Sequence, residues 1–241
     1  MIPIRDSIPT RRFPWVTILL IVVNTGIFLL EFLLGPLAEN LMYTFGFVPA
    51  RIVAEWTNPF VLLTLFTSAY LHAGWAHLIG NMLYLWIFGN NIEDNMGPGR
   101  FFAFYTLCGV IATLAQIAAA PQSTLPGIGA SGAVAGVLGA YLLLYPQARI
   151  EVLVPFFLFL TFTVPAIFVL GGWFLMQFFN GLASLNVTAQ TGGVAWWAHI
   201  GGFVAGMLLL PIFRERKPPV PYVYDIYGRP VRQWRTRDDD R

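Results

Sequence analysis

The sequence predicts an all-α, polytopic membrane protein built as a bundle of six transmembrane helices. Hydrophobic residues make up 57% of the 241 residues and charged residues only 11%, whereas soluble domains carry about 25% charged residues. Apolar runs of about 20 residues, long enough to cross a bilayer, recur along the chain. The basic residues divide very unevenly between the connections that separate these runs, as is typical of membrane proteins.

The first predicted span follows a short basic segment that carries Arg5, Arg11 and Arg12. The apolar stretch after it is too long for the core of a signal peptide, and no small-residue cleavage site follows, so we expect a retained anchor helix. Pro165 marks the start of the fifth span or a kink within it. The six predicted spans cover roughly residues 14–35, 75–92, 100–120, 130–146, 164–184 and 196–213.

The distribution of Lys and Arg predicts the orientation of the bundle. With six spans, thirteen of the fourteen basic residues fall on the side of the two termini, and only Arg51 falls on the other side. Because basic loops stay on the cytoplasmic side, both termini are expected to be cytoplasmic. No organelle-type presequence is apparent, so the expected location is a prokaryotic plasma membrane.

Three segments flank or interrupt the predicted spans. The first external connection, about 36–74, is too apolar and aromatic to be freely solvated, and we expect it to associate with the membrane as amphipathic helix. The predicted organisation is a short cytoplasmic N-terminus at 1–13, a six-helix core at 14–213 and a flexible, Pro-rich cytoplasmic tail at 214–241.

Polar residues of catalytic type are expected at one depth of this bundle. His77, Ser131 and His199 lie near the starts of spans two, four and six, which all run inward from the outer face. Asn81 lies one turn deeper than His77 on the same helix face. Each residue alone has an ordinary structural explanation, as a backbone-bonded serine, an interfacial histidine or an interhelical amide. Their convergence favours an active site near the outer face.

The residue types fit acyl transfer. A serine hydroxyl becomes a good nucleophile when a base within hydrogen-bond reach takes its proton, and His199 can approach Ser131 from another helix. Small residues in both helices would allow that approach. These residues are Gly132, Ala135, Gly136 and Gly139 in span four and Gly202 and Gly206 in span six.

An oxyanion would be stabilised by the backbone N–H of Ser131, at a helix N-terminus, with the side chains of His77 and Asn81. No acidic residue is well placed to orient His199, and Glu31 is interpreted as a snorkelling or packing residue. We therefore expect a Ser–His dyad. Three histidines could alternatively bind a metal ion, but His72 and His77 are five residues apart and no HExxH motif exists, so no metal site is predicted.

Three sequence blocks resemble the rhomboid intramembrane serine proteases. They are "HAGWAHLIGNMLYLWIFGNNIEDNMGPGRF" (72–101), "GASG" (129–132) and "AHIGGFVAG" (198–206), and they occur in the family's order. The resemblance implies a rhomboid-like bundle with a membrane-inserted first external loop. It also implies that Ser131 is the nucleophile and His199 the general base.

By the same resemblance, His77 and Asn81 match positions associated with oxyanion stabilisation, and Gly129 matches a tight turn beside the nucleophile. The implied activity is hydrolysis, without a cofactor, of a peptide bond in or near the transmembrane segment of a membrane-protein substrate. The implied partners are such substrates and the lipid bilayer, with no nucleic acid. A proteolytically inactive rhomboid-like module that binds membrane helices is the alternative. A channel or transporter is disfavoured, because repeats and midplane charges are lacking.

Overall fold

The computed structural model describes residues 2–154, 160–185, 194–215, 222–224 and 230–232. These residues are mostly helical. Two 3-10 turns, Gly35–Leu37 and Ser68–Tyr70, and a π-helical segment, Leu85–Gly89, connect some of the helices. The α-helices of the described ranges are α1 (Trp15–Leu34), α2 (Ala38–Phe45), α3 (Pro49–Ala54), α4 (Pro59–Thr67), α5 (Trp75–Tyr84), α6 (Asn90–Met96), α7 (Pro98–Ala119), α8 (Ser131–Leu144), α9 (Ala166–Ser184) and α10 (Trp196–Phe213).

Among the described residues, four helical segments are long and apolar enough to cross a membrane. They are Trp15–Phe45, Pro98–Ala119, Ala166–Ser184 and Trp196–Phe213. The predicted span at 130–146 corresponds to α8, whose 14 residues extend only about 21 Å. The predicted span at 75–92 corresponds to α5, the π-helical segment and the start of α6. The structure therefore supports a membrane bundle with four such helices, and the count of six stays a prediction.

The predicted connection at 36–74 is largely helical. It contains α2, α3 and α4, and the apolar segment Pro59–Tyr70 is too short to count among the four long apolar helices. Phe47 pairs with Gly127 through backbone hydrogen bonds in both directions, of 3.1 and 2.7 Å. This pairing holds the connection against the loop that leads into α8.

Helix α8 lies at the centre of the bundle, since every residue from Gly132 to Tyr141 is buried. It packs on α10 with almost no space between the backbones. A Cβ atom at Gly202 would overlap the carbonyl oxygen of Gly132, and one at Gly206 would overlap that of Gly136. Small residues permit this close approach, which is a common way for membrane helices to associate.

The start of α1 is fixed by an acidic residue of α6. Glu93 accepts hydrogen bonds from the backbone N–H groups of Val16 and Thr17, at 2.9 and 2.8 Å, and from the Thr17 hydroxyl at 2.8 Å. The first N–H groups of a helix have no intrahelical partner, so a buried carboxylate is well suited to this place. Gly97, with φ +79°, then forms the turn from α6 to α7.

A three-stranded antiparallel sheet lies at the other end of α8 from Ser131, and the all-α prediction did not include it. Its strands are β1 (Ile2–Asp6), β2 (Arg149–Val154) and β3 (Leu160–Pro165), in that order across the sheet. β1 pairs with a strand almost 150 residues away, and such nonlocal pairing leaves little trace in a single short segment. α9 follows β3 directly, so Pro165 marks the start of the fifth predicted span.

The predicted flexible tail at 214–241 lies largely outside the described residues. Within it, the structure describes residues 214 and 215 and two short strands, β4 (Tyr222–Tyr224) and β5 (Pro230–Arg232), which pair antiparallel.

Candidate active site

The structure brings Ser131 and His199 into direct contact. The Ser131 Oγ atom lies 2.8 Å from the His199 Nε2 atom, although 68 residues separate them in the chain. Ser131 is the first residue of α8 and His199 lies in the first turn of α10. The glycine contacts between these two helices begin within one turn of the pair, so the close packing of the backbones sets the distance between the side chains.

A third side chain, that of Gln177 on α9, completes the contacts of the imidazole. Its Oε1 atom lies 2.8 Å from the Nδ1 atom of His199, and the side chain is only 2% exposed. The sequence prediction of a Ser–His dyad overlooked this residue, because it searched only for acidic partners of His199. The available signal was an amide inside a largely apolar span, although Asn180 in the same span gives the same signal.

With the Gln177 oxygen facing Nδ1, these contacts favour the tautomer of His199 that carries its proton on Nδ1. A carboxamide oxygen only accepts hydrogen bonds, so the Nδ1–H of His199 donates to Gln177. The Nε2 atom of the neutral ring then has a free lone pair, and the Ser131 hydroxyl donates to it. This is the arrangement in which a histidine can accept the proton of a serine.

The ring of His199 is also held by aromatic neighbours. The Trp173 ring lies 5.7 Å away, centroid to centroid, with an interplanar angle of 37°, and the Trp196 ring lies edge-on at 6.4 Å. His199 itself is buried. Contacts at both nitrogens and on the ring faces leave the imidazole little freedom to rotate.

His77 and Asn81 lie beside the same cavity as the pair. The Nδ2 atom of Asn81 is buried and has no hydrogen-bond partner among the described residues. The Ser131 N–H precedes the first intrahelical bond of α8, which runs from Val134 N to Ala130 O. Hydrogen-bond donors from two helices therefore border the space next to the serine, as expected for a site that binds an oxyanion.

Gly129 makes room for His77. Its φ of +119° is unfavourable for residues with a side chain, and a Cβ atom there would lie 2.6 Å from the Nε2 atom of His77. The N–H of Gly129 donates to the carbonyl oxygen of Ser68 at 2.8 Å, which holds the loop in place. A Cβ atom at Gly132, the second residue of α8, would likewise lie 2.6 Å from the Cβ atom of Ala112 on α7.

The cavity at the site has a volume of about 950 Å³. Ser131 and His199 lie on its wall with Trp173 of α9 and Met42 of α2. This volume lies within the range of about 300–1,000 Å³ of small-molecule pockets, and it is large enough for a few residues of an extended peptide.

Two further polar residues near the site, His72 and Glu31, lie outside the contact chain of Ser131. The rings of His72 and His77 lie 5.1 Å apart, and the structure shows no group of three His, Cys, Asp or Glu side chains in the described ranges that could hold a metal ion. Glu31 is 3% exposed and accepts a hydrogen bond from the backbone N–H of His72 at 3.2 Å. Of the two interpretations of Glu31, the structure therefore favours a packing residue over a snorkelling residue.

The sequence matches a known family over more than half of its length. Residues 59–216 match the family model described as "Rhomboid domain". This segment contains the contact between Ser131 and His199 as well as His77, Asn81 and Gln177. The resemblance predicted from the three sequence blocks is confirmed.

Several curated proteins are similar to this chain. "Rhomboid protein 1, mitochondrial" of Saccharomyces cerevisiae is 30% identical over 61% of this chain and 40% of its own length. "Rhomboid protease GluP" of Bacillus subtilis is 37% identical over 48% of this chain and 21% of its own length. "RHOMBOID-like protein 12, mitochondrial" of Arabidopsis thaliana is 32% identical over 58% of this chain and 43% of its own length. The chain thus spans less than half the length of these relatives.

The predicted location is corrected by these comparisons. A prokaryotic plasma membrane was expected, but the relatives from yeast and Arabidopsis are named as mitochondrial proteins, so the prediction is wrong. It rested on the apparent lack of a presequence. Because the chain spans only part of its relatives' length, the composition of its first residues does not indicate which membrane is involved.

Proposed function

Because this chain belongs to the rhomboid family, we propose that it is an intramembrane serine endopeptidase that acts on membrane-protein substrates. Ser131 is the proposed nucleophile and His199 the proposed general base. The observation that supports this proposal most strongly is the 2.8 Å contact between Ser131 Oγ and His199 Nε2 on the wall of the cavity. A "Rhomboid protease" among its relatives agrees with this chemistry.

In the proposed reaction, the Ser131 hydroxyl transfers its proton to Nε2 while Oγ attacks the carbonyl carbon of the scissile peptide. The imidazolium then gives this proton to the leaving amide nitrogen, and the C–N bond breaks to leave an acyl-enzyme. A water molecule gives a proton to Nε2 and attacks the ester carbonyl. When the C–Oγ bond breaks, Ser131 regains its proton and a carboxylic acid is released. The reaction as proposed needs no cofactor.

The proposed oxyanion site consists of the Ser131 N–H and the side chains of His77 and Asn81. The unpartnered Nδ2 group of Asn81 supports this assignment, since a buried donor without a partner is costly unless a ligand satisfies it. Gly129, Gly132, Gly202 and Gly206 are proposed as supporting residues, because a side chain at any of them would meet a neighbour at close range.

The proposed membrane arrangement has six spans within residues 14–213, which would include α8 and the path from α5 into α6. The segment from α2 to α4 would lie in or against the bilayer, and exposed aromatic residues of α4 and of the turn before it support this proposal. Trp56 is 70% exposed and Phe60 is 81% exposed, and such side chains favour the membrane interface. The two mitochondrial relatives lead us to propose a mitochondrial membrane as the location.

The proposal is tested with purified protein in liposomes and a reporter that carries one transmembrane helix. We expect the native protein to cleave the reporter and the Ser131→Ala and His199→Ala variants to be inactive, with unchanged thermal unfolding. Asn180→Ala on α9 is the matched control and should keep full activity, since its side-chain amide donates to the Met176 carbonyl of its own helix. Normal cleavage by Ser131→Ala would refute the mechanism.

The alternative is an inactive rhomboid-like module that binds membrane helices. A fluorophosphonate probe distinguishes the two functions, because it reacts only with an activated serine. We expect labelling that is lost in both Ser131→Ala and His199→Ala. If the native protein binds the reporter helix but is neither labelled nor able to cleave it, the inactive module is the correct function.

A further inference from the structure

We propose that Gln177 is a positioning residue of this site, which holds the His199 imidazole in the tautomer that accepts the proton of Ser131. This inference rests on the proposed function. The expected pair of side chains then becomes a hydrogen-bonded chain of three side chains, from Ser131 on α8 through His199 on α10 to Gln177 on α9. The two distances in this chain are both 2.8 Å.

The place of Gln177 on α9 is one where packing alone favours an apolar residue. Only four of the 19 residues of the helix are buried, namely Ala166, Leu170, Gln177 and Gly181. Their spacing of four, seven and four places them on one face, which points at the bundle. An amide on this face is costly unless it is hydrogen-bonded, because burial removes its hydrogen bonds to water. The contact with His199 provides the partner.

The packing of α9 on α10 directs the amide toward the imidazole. One turn beyond Gln177, a Cβ atom at Gly181 would lie 2.9 Å from the Cδ1 atom of Ile200, so the two helices are close at this point. One turn before it, Trp173 lies against the His199 ring. Gln177 therefore sits between two contacts that fix the position of α9 relative to His199.

The oxygen of Gln177 selects the useful tautomer. If His199 carried its proton on Nε2, the Nδ1 lone pair would face the lone pairs of the Gln177 oxygen, and the ring would no longer accept from Ser131. With the proton on Nδ1, both contacts are favourable hydrogen bonds. In serine proteases with an acidic third residue, a change that favours the wrong tautomer lowers kcat by about 10⁴-fold.

A carboxamide has an advantage over a carboxylate in this environment. Gln177 is 2% exposed, and the other buried residues of its helix are Ala166, Leu170 and Gly181. An ionised side chain here would lose its hydration without a fixed positive partner in the resting enzyme, since His199 is neutral in the state that accepts a proton. Glutamine supplies the acceptor and avoids that cost. The expected contribution to the rate is correspondingly smaller than that of a buried aspartate.

The test compares three variants in liposomes by cleavage of the reporter. Gln177→Met keeps the length of the side chain and removes the acceptor, and we expect kcat to fall at least about tenfold, which corresponds to about 1.4 kcal/mol, with KM within about twofold. Gln177→Glu keeps the acceptor and should restore kcat to within about threefold of the native value. Asn180→Leu, the matched control on the same helix, should have native kcat and KM.

A pH profile gives a readout that a purely structural role would not change. In Gln177→Glu, the half-maximal point on the acidic side of the kcat/KM profile should move to higher pH, because a carboxylate stabilises the imidazolium. The other titratable groups that line this cavity in the described part of the chain are His77 and Tyr84 on α5, and both are the same in every variant. The proposal would be overturned if Gln177→Met lost no more activity than Asn180→Leu, or if Gln177→Met changed KM alone. A native pH profile in Gln177→Glu would also overturn it.

Nitrogen NMR of ¹⁵N-histidine protein tests the tautomer without any reaction, so its result does not depend on the proposed function. The chain has three histidines, and the His199 signals are assigned with the His72→Gln and His77→Gln variants. We expect a proton on Nδ1 in the native protein and a mixture of tautomers in Gln177→Met. A proton on Nε2 of His199 in the native protein would refute the inference even if proteolysis is confirmed. Absent cleavage with the expected tautomer would instead refute the proposed function.

Discussion

A Cβ atom at Gly206 of α10 would overlap the carbonyl oxygen of Gly136 of α8. The two helix backbones are thus in contact two turns away from the Ser131–His199 pair. Any side chain at this position must push α10 away from α8, and that displacement is carried along a rigid helix to His199.

Gly206→Ala is therefore expected to lower stability and activity together. Overpacking of this kind typically costs about 1–3 kcal/mol, so the temperature of unfolding in detergent should fall by several degrees and cleavage should fall at least tenfold. Gly26→Ala on α1 is the control, because nothing lies within 4 Å of a Cβ atom there. Equal unfolding temperatures for the two variants would contradict the close packing.

Gly129→Ala is expected to affect the site more than the stability of the fold. The new methyl group meets the His77 ring at 2.6 Å, and the φ of +119° disfavours alanine. Displacement of His77 should lower kcat at least about tenfold, while the fluorophosphonate probe should still label Ser131. The control is Gly172→Ala, where a Cβ atom has open space. Native kcat in Gly129→Ala would show that His77 has no part in the reaction.

Asn81→Leu separates catalysis from stability. The Asn81 Nδ2 group has no partner among the described residues. The variant, with an apolar side chain of similar size, should therefore unfold at the same temperature as the native protein or at a higher one. Loss of an oxyanion donor should lower kcat by about 100-fold. Thermal unfolding and cleavage are measured on the same preparation. A large fall in unfolding temperature with unchanged kcat would assign Asn81 a structural role instead.

The raised pKa of Asp6 on β1 leads us to expect that the stability of the protein depends on pH. Burial raises the pKa of Asp6 above its usual value of 3.8, and hydrogen bonds from Tyr141 and Asn91 offset part of this rise. Between 3.8 and the raised pKa, the folded protein binds more protons than the unfolded chain, so its stability falls as the pH increases.

Asp6→Asn should remove this dependence. As the pH rises from 3.8, the native protein should lose stability relative to the variant, and the difference should become constant above the raised pKa. Thermal unfolding of both proteins across this range provides the measurement. Since all other groups are common to the two proteins, a difference that does not change with pH would contradict the assignment to Asp6.

Local patterns in the sequence were sufficient for several conclusions. The low fraction of charged residues and the apolar runs predicted a mostly helical membrane protein. Helices occupy all six predicted spans, and four helical segments of the described residues are long and apolar enough to cross a membrane. The blocks around His77, Ser131 and His199 predicted the rhomboid family, which the match over 59–216 confirms. Both conclusions depend on residues that are neighbours in the chain or on one helix, where spacing is informative.

The sheet could not be predicted in the same way. Arg149–Val154 alternates between exposed and buried positions at its start, but the partner β1 comes from the other end of the sequence. The membrane in which the protein resides was predicted wrongly, because the sequence features used do not distinguish one membrane from another.

The sequence by itself thus determined the class of protein and its family, and it supplied the candidate catalytic residues, because these are properties of composition and local pattern. Only the tertiary structure decided that Ser131 and His199 touch and that Gln177 holds the opposite nitrogen of the imidazole. Those distances depend on how closely α8, α9 and α10 pack. Close packing is a joint property of several helices, in which one missing Cβ atom changes the separation of two backbones.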